Sequence, residues 1–200
     1  DEAVAFRNGT APYNHAAFNS SFGAMQFGRP KVRSPKTSSI IDISNVGDTI
    51  GVHAYSDSKA EPWYAPAGLQ RGRIPNTLGV HYNVGTPARK AELDNLSNNQ
   101  INAIVDFPED GTMLWDQLTL QRLPSATQSL NIRRLLIYMR KDLTKINRIW
   151  LFEPHDPVTW RKVYNLIDPF MADLQARRAF YEYKIQCDQD AKNLAQAVLN

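Results

Sequence analysis

A helical repeat of apolar residues between positions 130 and 149 constrains the fold more than any other feature of the sequence. The repeat has spacings of three and four residues and comprises Ile132, Leu135, Leu136, Met139, Leu143 and Ile146. In an α-helix such spacing places the side chains on one face, so the pattern predicts a long amphipathic helix with one buried stripe.

A second long helix is predicted from residue 157 to about residue 180. Asp156 and Pro157 combine an N-cap acid with a proline at the first helical position. Its expected buried face consists of Trp160, Val163, Ile167, Phe170 and Leu174. Pro169 lies inside this stretch and is expected to kink or divide the helix.

The other predicted elements define an α+β fold, an α/β sandwich in which a mixed central sheet has helices packed on its faces. Strands are expected at 102–107 and 112–115 as a hairpin, at 181–187 from strict alternation, and briefly at 40–43. Helices are expected at 44–55, at 86–99 and after Asp190. We expect residues 1–85 to form a loop-rich segment packing on a compact domain at 86–200.

Composition excludes several classes of protein. The chain has 200 residues, 42% hydrophobic and 22% charged, as in ordinary globular proteins. A single cysteine, Cys187, excludes an internal disulfide and a cysteine-based zinc site. No apolar run is long enough for membrane insertion. The formal net charge of +3 is too small to indicate a nucleic-acid partner.

One short cluster contains residue types suited to catalysis. Glu153, His155 and Asp156 place two carboxylates and an imidazole within four residues. A hydrolase using His155 with Glu153 or Asp156 is therefore an alternative hypothesis, against which Asp156 also fits a helix cap. The sequence has no phosphate-binding loop, nucleophile elbow or zinc-protease motif, and we expect no catalytic residue, metal or cofactor.

Charge is strongly segregated along the chain. Residues 91–121 contain six acids and no Lys or Arg, whereas residues 122–148 contain seven bases and one acid. Opposite faces of this kind suit head-to-tail docking of copies, although the two segments could equally neutralise one another within one fold. A basic helix that binds nucleic acid is a third possibility. The candidate subunit-interface residues are Arg133, Arg134, Arg140, Lys141, Lys145, Glu92, Asp94 and Asp110.

Several collinear motifs resemble the C-terminal region of contractile phage tail sheath proteins. They are NSSFGA at 19–24, PWYAPAG at 62–68, NAIVDFPEDG at 102–111, NIRRLLIYMRK at 131–141, LFEPHD at 151–156 and YKIQCD at 183–188. Each motif is weak alone, and their shared order and spacing make the set specific.

This resemblance implies a structural subunit of a contractile tail sheath. Such subunits polymerise in stacked hexameric rings around a tail tube and contract to drive the tube through the host envelope for genome delivery. The implied partners are other sheath subunits, the tail tube protein, the baseplate and the tail terminator. The implied location is the virion tail, after assembly in the host bacterial cytoplasm. The sheath of a phage-tail-like bacteriocin or of a type VI secretion system is the alternative within this class.

Sheath proteins also carry domains before this region and continue past it into an extended arm. The sequence begins at Asp1, without a methionine, and ends at Asn200. We therefore expect a fragment that lacks its terminal strand arm and is monomeric in dilute solution.

Overall fold

The computed structural model describes residues 2–187, which divide into two compact units meeting between Arg134 and Leu135. The first unit contains helix α1 (Glu2–Asn8), strands β1 (Met25–Phe27), β2 (Lys31–Arg33) and β3 (Ile40–Asp42), helices α2 (Val46–Lys59), α3 (Gly68–Arg71) and α4 (Lys90–Asn98), and strands β4 (Ile101–Phe107) and β5 (Gly111–Leu114). Helix α5 (Leu130–Asn147) crosses the boundary, and the second unit continues into helix α6 (Pro157–Ala176).

The central sheet has the strand order β1–β4–β5 and is mixed, which confirms the predicted α+β class. β1 runs parallel to β4, with Met25 opposite Ile101. β5 runs antiparallel to β4, with Ile104 opposite Leu114, so the predicted hairpin is confirmed with its second strand one residue earlier. The predicted strand at residue 40 is also present and pairs with β2 in a separate antiparallel ribbon.

Strand β4 is buried on both faces. Its odd-numbered residues, Ile101, Ala103 and Val105, join one cluster with Val84, Leu96 and Met113. Ile104 joins a second cluster with Val52, Ile74, Val80 and Leu114. Burial on both sides explains why the first five residues of β4 are fully buried instead of alternating with exposed positions.

Asn102 is a fully buried polar residue in the middle of this sheet. Its amide group donates to the carbonyl of Met25 at 3.0 Å and to the carbonyl of Leu118 at 2.8 Å. Its side-chain oxygen accepts the Leu118 amide at 2.5 Å. The one side chain therefore joins β1, β4 and the segment that follows β5.

Helix α2 begins two residues later and ends four residues later than the sequence predicts. Its Gly51 is exposed, and a Cβ added there meets nothing within 4 Å. Because glycine weakens a helix interior by about 0.5–1 kcal/mol relative to alanine, Gly51→Ala is expected to stabilise the protein by about that amount. Chemical denaturation measures the change.

Gly85 provides the matched control for this substitution. A Cβ at Gly85 would lie 2.9 Å from the Cβ of Val105, a buried core atom. Gly85→Ala is therefore expected to destabilise the protein. Equal effects of the two alanine substitutions would contradict the assigned environments of the two glycines.

The second unit is built from the two predicted long helices. In α6, Trp160 and Leu174 are buried as predicted, and the helix is not divided at Pro169. In α5 the predicted stripe is less buried than expected: Leu135 is buried, but Leu136 is 40% exposed and Met139, Leu143 and Ile146 are half-buried. A helical repeat predicts which residues share a face and does not establish how completely that face is covered.

The predicted strand at 181–187 is wrong. Tyr181 is 98% exposed, and residues 182–187 have no regular secondary structure. The alternation itself persists, because residues 183, 185 and 187 are half-buried and residues 182, 184 and 186 are exposed. A strand also requires a hydrogen-bonded neighbour, and none of the described strands pairs with this segment. The helix predicted after Asp190 lies outside the described residues.

The domain boundary at residue 85 stays a prediction. The loop-rich segment before it contributes an integral strand, because β1 pairs with β4 in the central sheet. Residues 86–134 share their compact unit with this segment.

Asp156 caps helix α6, as its sequence position predicts. Its carboxylate accepts the backbone N–H of Thr159 at 2.7 Å, and this bond is the main reason that the pKa of Asp156 is lowered. A carboxyl group whose pKa is lower in the folded state than in the unfolded state stabilises the protein at pH values above the unfolded pKa, which is about 3.9. That stabilisation is lost as the pH falls through the folded value.

Asp156→Ala is therefore expected to lower the melting temperature at neutral pH and to have a smaller effect in acid. Thermal melts followed by circular dichroism at about pH 7 and about pH 2 test this dependence. Asp156→Asn, which keeps a capping oxygen without the charge, should retain most of the stability at neutral pH. A loss of the same size at both pH values would contradict the capping role.

Candidate subunit interface

The first two basic residues of the predicted interface are engaged within the chain. The Arg133 guanidinium lies 4.4 Å from the centre of the Phe22 ring and donates to the Ser21 hydroxyl. Arg134 donates to both carboxylate oxygens of Asp57. These contacts lie within the first unit, to which the first turn of α5 belongs, so both charges are already partnered.

The remaining basic residues lie farther along α5 and are exposed. Lys145 pairs with Asp142 one turn earlier, at 3.0 Å, and this bond is the main reason that the pKa of Asp142 is lowered. Arg140 on α5 and Arg148, directly after its end, are exposed and have no carboxylate partner among residues 2–187. Lys141 is likewise exposed.

An open groove of about 790 Å³ lies beside this basic surface. We call it the α5 groove. Its lining residues are Leu136, Met139, Arg140, Leu143, Thr144, Lys145, Asn147, Arg148 and Leu151. The turn after α5 extends the apolar surface, because Leu151 is 69% exposed and Phe152 is 99% exposed. Apolar surface of this kind, bordered by charge, is typical of protein-binding sites.

The predicted acidic residues occupy two places in the first unit. Glu92 and Asp94 are exposed on α4, where Glu92 accepts the Tyr82 hydroxyl at 2.8 Å. That bond is the main reason that the pKa of Tyr82 is raised. Asp110 lies in the turn between β4 and β5, where its backbone carbonyl accepts from Arg73 at 2.7 Å. The assignment of these acids and of the basic residues to a subunit interface stays a prediction.

The cluster considered for hydrolysis is arranged as a structural turn. The indole N–H of Trp160 donates to Nδ1 of His155 at 3.3 Å, and the two rings pack edge to face. Asp156 is the helix cap, and Glu153 is exposed. Neither carboxylate is hydrogen-bonded to the imidazole in the described part of the chain.

Residues 2–187 contain neither a cluster of metal-ligating side chains nor a helix suited to cross a membrane. Among residues 2–187, His, Cys, Asp and Glu side chains do not gather in groups of three or more that could hold a metal ion. Within the same residues, every helix is too short or too polar to cross a membrane.

The α5 groove was not predicted from the sequence. Leu136, Met139 and Leu143 follow the helical repeat and were therefore expected to be core residues. The signal that could have revealed the groove is the adjacent pair Leu151 and Phe152, two large apolar residues in a turn between helices.

Comparison with known proteins relates this chain to viral sheath proteins. It is 32% identical over 143 residues to the tail sheath protein of Vibrio phage KVP40, a match that covers 72% of this chain and 21% of the relative. It is 26% identical over 191 residues to the tail sheath protein of Enterobacteria phage T4, covering 94% of this chain and 28% of the relative. No protein-family model matches the chain.

The fold is found in solved contractile assemblies. The sheath complex of an extracellular contractile injection system, in its contracted state, superposes with a TM-score of 0.70 and 23% identity, covering 90% of this chain and 48% of the other. The fold is therefore that of a contractile sheath domain. The chain is a relative of the contractile phage tail sheath proteins and matches a segment of them, which confirms the resemblance in the motifs. It spans between a fifth and a third of the length of these curated relatives.

Proposed function

We propose that this chain is a segment of the structural subunit of a contractile phage tail sheath, which surrounds a tail tube and contracts to drive it through the host envelope. The observation that carries the proposal is the match to the phage T4 tail sheath protein over 94% of the chain. The curated relatives come from phages, which favours a phage tail over a bacteriocin or a type VI sheath.

The proposed partners follow from this role. They are other sheath subunits in stacked hexameric rings, the tail tube protein, the baseplate and the tail terminator. The proposed location is the virion tail, with assembly in the host bacterial cytoplasm. A structural, non-catalytic role is supported by the sheath relatives and by the engagement of Asp156 as a helix cap and of His155 with Trp160.

Interrupting the reading frame that encodes this chain tests the proposed function. Particles released from the host should then carry bare tubes, or no assembled tails, in negative-stain electron microscopy. His155→Ala is the matched control and should leave sheathed tails if the imidazole has no catalytic task. Normal sheathed tails after interruption would refute the proposal.

The proposed interface charges are too few to hold the isolated chain together. Arg133 and Arg134 are engaged internally, and exposed ion pairs contribute only about 0–1 kcal/mol each. Association costs several kcal/mol or more. The chain on its own is therefore expected to sediment as a monomer at micromolar concentration and physiological salt. Stable rings or tubes in a sedimentation-velocity experiment would show that contacts within this segment suffice for polymerisation.

A further inference from the structure

The α5 groove has an apolar floor and a basic border. Leu136, Met139, Leu143 and Leu151 contribute the apolar surface. On the border, Lys145 is already paired with Asp142. Arg140 and Arg148 therefore remain as two guanidinium groups with no carboxylate partner within residues 2–187. An occupant that matches this groove needs an apolar residue for the floor and carboxylates next to it for the two guanidinium groups.

The turn between β4 and β5 has that composition. Residues 108–110 read Pro-Glu-Asp, and both Pro108 and Glu109 are exposed. In the described part of the chain the Glu109 carboxylate has no partner. Arg73 donates to the backbone carbonyl of Asp110, so the side-chain carboxylate of Asp110 takes no part in that hydrogen bond. The turn is fixed at both ends by paired strands, so little conformational entropy would be lost when it docks.

We propose that the β4–β5 turn of one copy docks into the α5 groove of a second copy. Pro108 lies on the apolar floor, while Glu109 and Asp110 face Arg140 and Arg148. The occupant is a second copy because its turn complements the groove in both polarity and charge. The inference rests on the proposed function, which requires copies of this chain to contact one another.

The contact joins two different surfaces and is therefore heterologous. A heterologous contact that does not close generates an open helical array, as a sheath requires. Its two exposed charge pairs and one small apolar contact are individually weak. This agrees with a chain that is monomeric when dilute and associates through this contact only at high local concentration.

Disulfide trapping tests the contact. All variants carry Cys187→Ser, which removes the native thiol and keeps a hydroxyl donor toward the Trp160 carbonyl. The test variant adds Glu109→Cys in the turn and Thr144→Cys in the groove. The control pairs Glu109→Cys with Asn165→Cys, an exposed position on α6. Each protein is oxidised at several hundred micromolar and examined on a non-reducing gel.

The test pair is expected to form disulfide-linked dimers and higher multimers at least tenfold faster than the control pair. Adding Arg148→Glu to the test pair should remove most of that advantage by placing a carboxylate where Asp110, the acid that remains in the turn, would dock. Equal rates for the two pairs, or a faster-migrating monomer from a bond within one chain, would overturn the proposal. If trapping fails while interruption of the reading frame still abolishes sheathed tails, the docking assignment alone is wrong.

Discussion

Asn102→Leu is expected to lower the free energy of unfolding of the first unit by about 3–5 kcal/mol, or to prevent folding. The substitution keeps the branching at Cγ but removes the partners of three backbone groups, the Met25 carbonyl and the Leu118 carbonyl and amide. A buried group left without a hydrogen bond costs about 1–3 kcal/mol. Urea denaturation followed by circular dichroism measures the loss.

Asn98→Leu is the matched control, because Asn98 is exposed on α4 in the same unit. It should change the stability by no more than about 0.5 kcal/mol. Asn102→Asp adds a second comparison, since a carboxylate can accept the Leu118 amide but cannot donate to either carbonyl. A stable Asn102→Leu variant would mean that the three bonds do not hold the sheet together.

Trp160→Ala is expected to destabilise the second unit by about 3–5 kcal/mol, the usual cost of deleting a large buried aromatic side chain. Trp160 is only 4% exposed and packs edge to face on His155 at a ring separation of 5.1 Å. Its backbone carbonyl also accepts the Cys187 thiol at 3.4 Å. The substitution should leave that backbone contact available and remove only the packing and the indole donor.

Phe152→Ala is the matched control in the same unit, because Phe152 is 99% exposed. Its thermal melt should overlay that of the parent protein. Trp160→Phe should lose less than the alanine variant, since it keeps an aromatic ring without the indole donor to His155. A Trp160→Ala melt indistinguishable from that of the parent would refute the packing assignment.

The long elements of the fold could be predicted from local sequence, whereas two of the three-residue strands could not. α5, α6 and the β4–β5 hairpin each contain enough residues for a repeat or a turn signal to be visible. β1 and β2 are three residues long and lie in a segment predicted as loop, because three residues cannot display an alternation. The opposite error occurred at 181–187, where a strand was predicted and none is present. Alternation indicates which residues are exposed, but a strand also needs a hydrogen-bonded neighbour.

The candidate interface was predictable only as a set of charges. A count of bases over 122–148 cannot show that Arg134 binds Asp57 or that Arg133 lies on Phe22, because those partners are more than 70 residues away in sequence. The α5 groove also depends on tertiary structure, since it exists only where residues 2–187 leave the apolar repeat uncovered. The relation to tail sheath proteins was visible in the sequence through the ordered motifs. One of them contains Asn102, whose role is to join three segments of the first unit.

The proposed function as a tail sheath subunit is tested most directly by electron cryo-microscopy. The measurement is a helical reconstruction of the tails of the particles that encode this chain. We expect every layer of the sheath to contain the β1–β4–β5 sheet, followed in the chain by α5 and α6, repeated around a central tube. Side-chain density at Asn102 and Trp160 would identify the chain. A tail sheath built from a different polypeptide, with this chain absent from the tail, would contradict the proposed function.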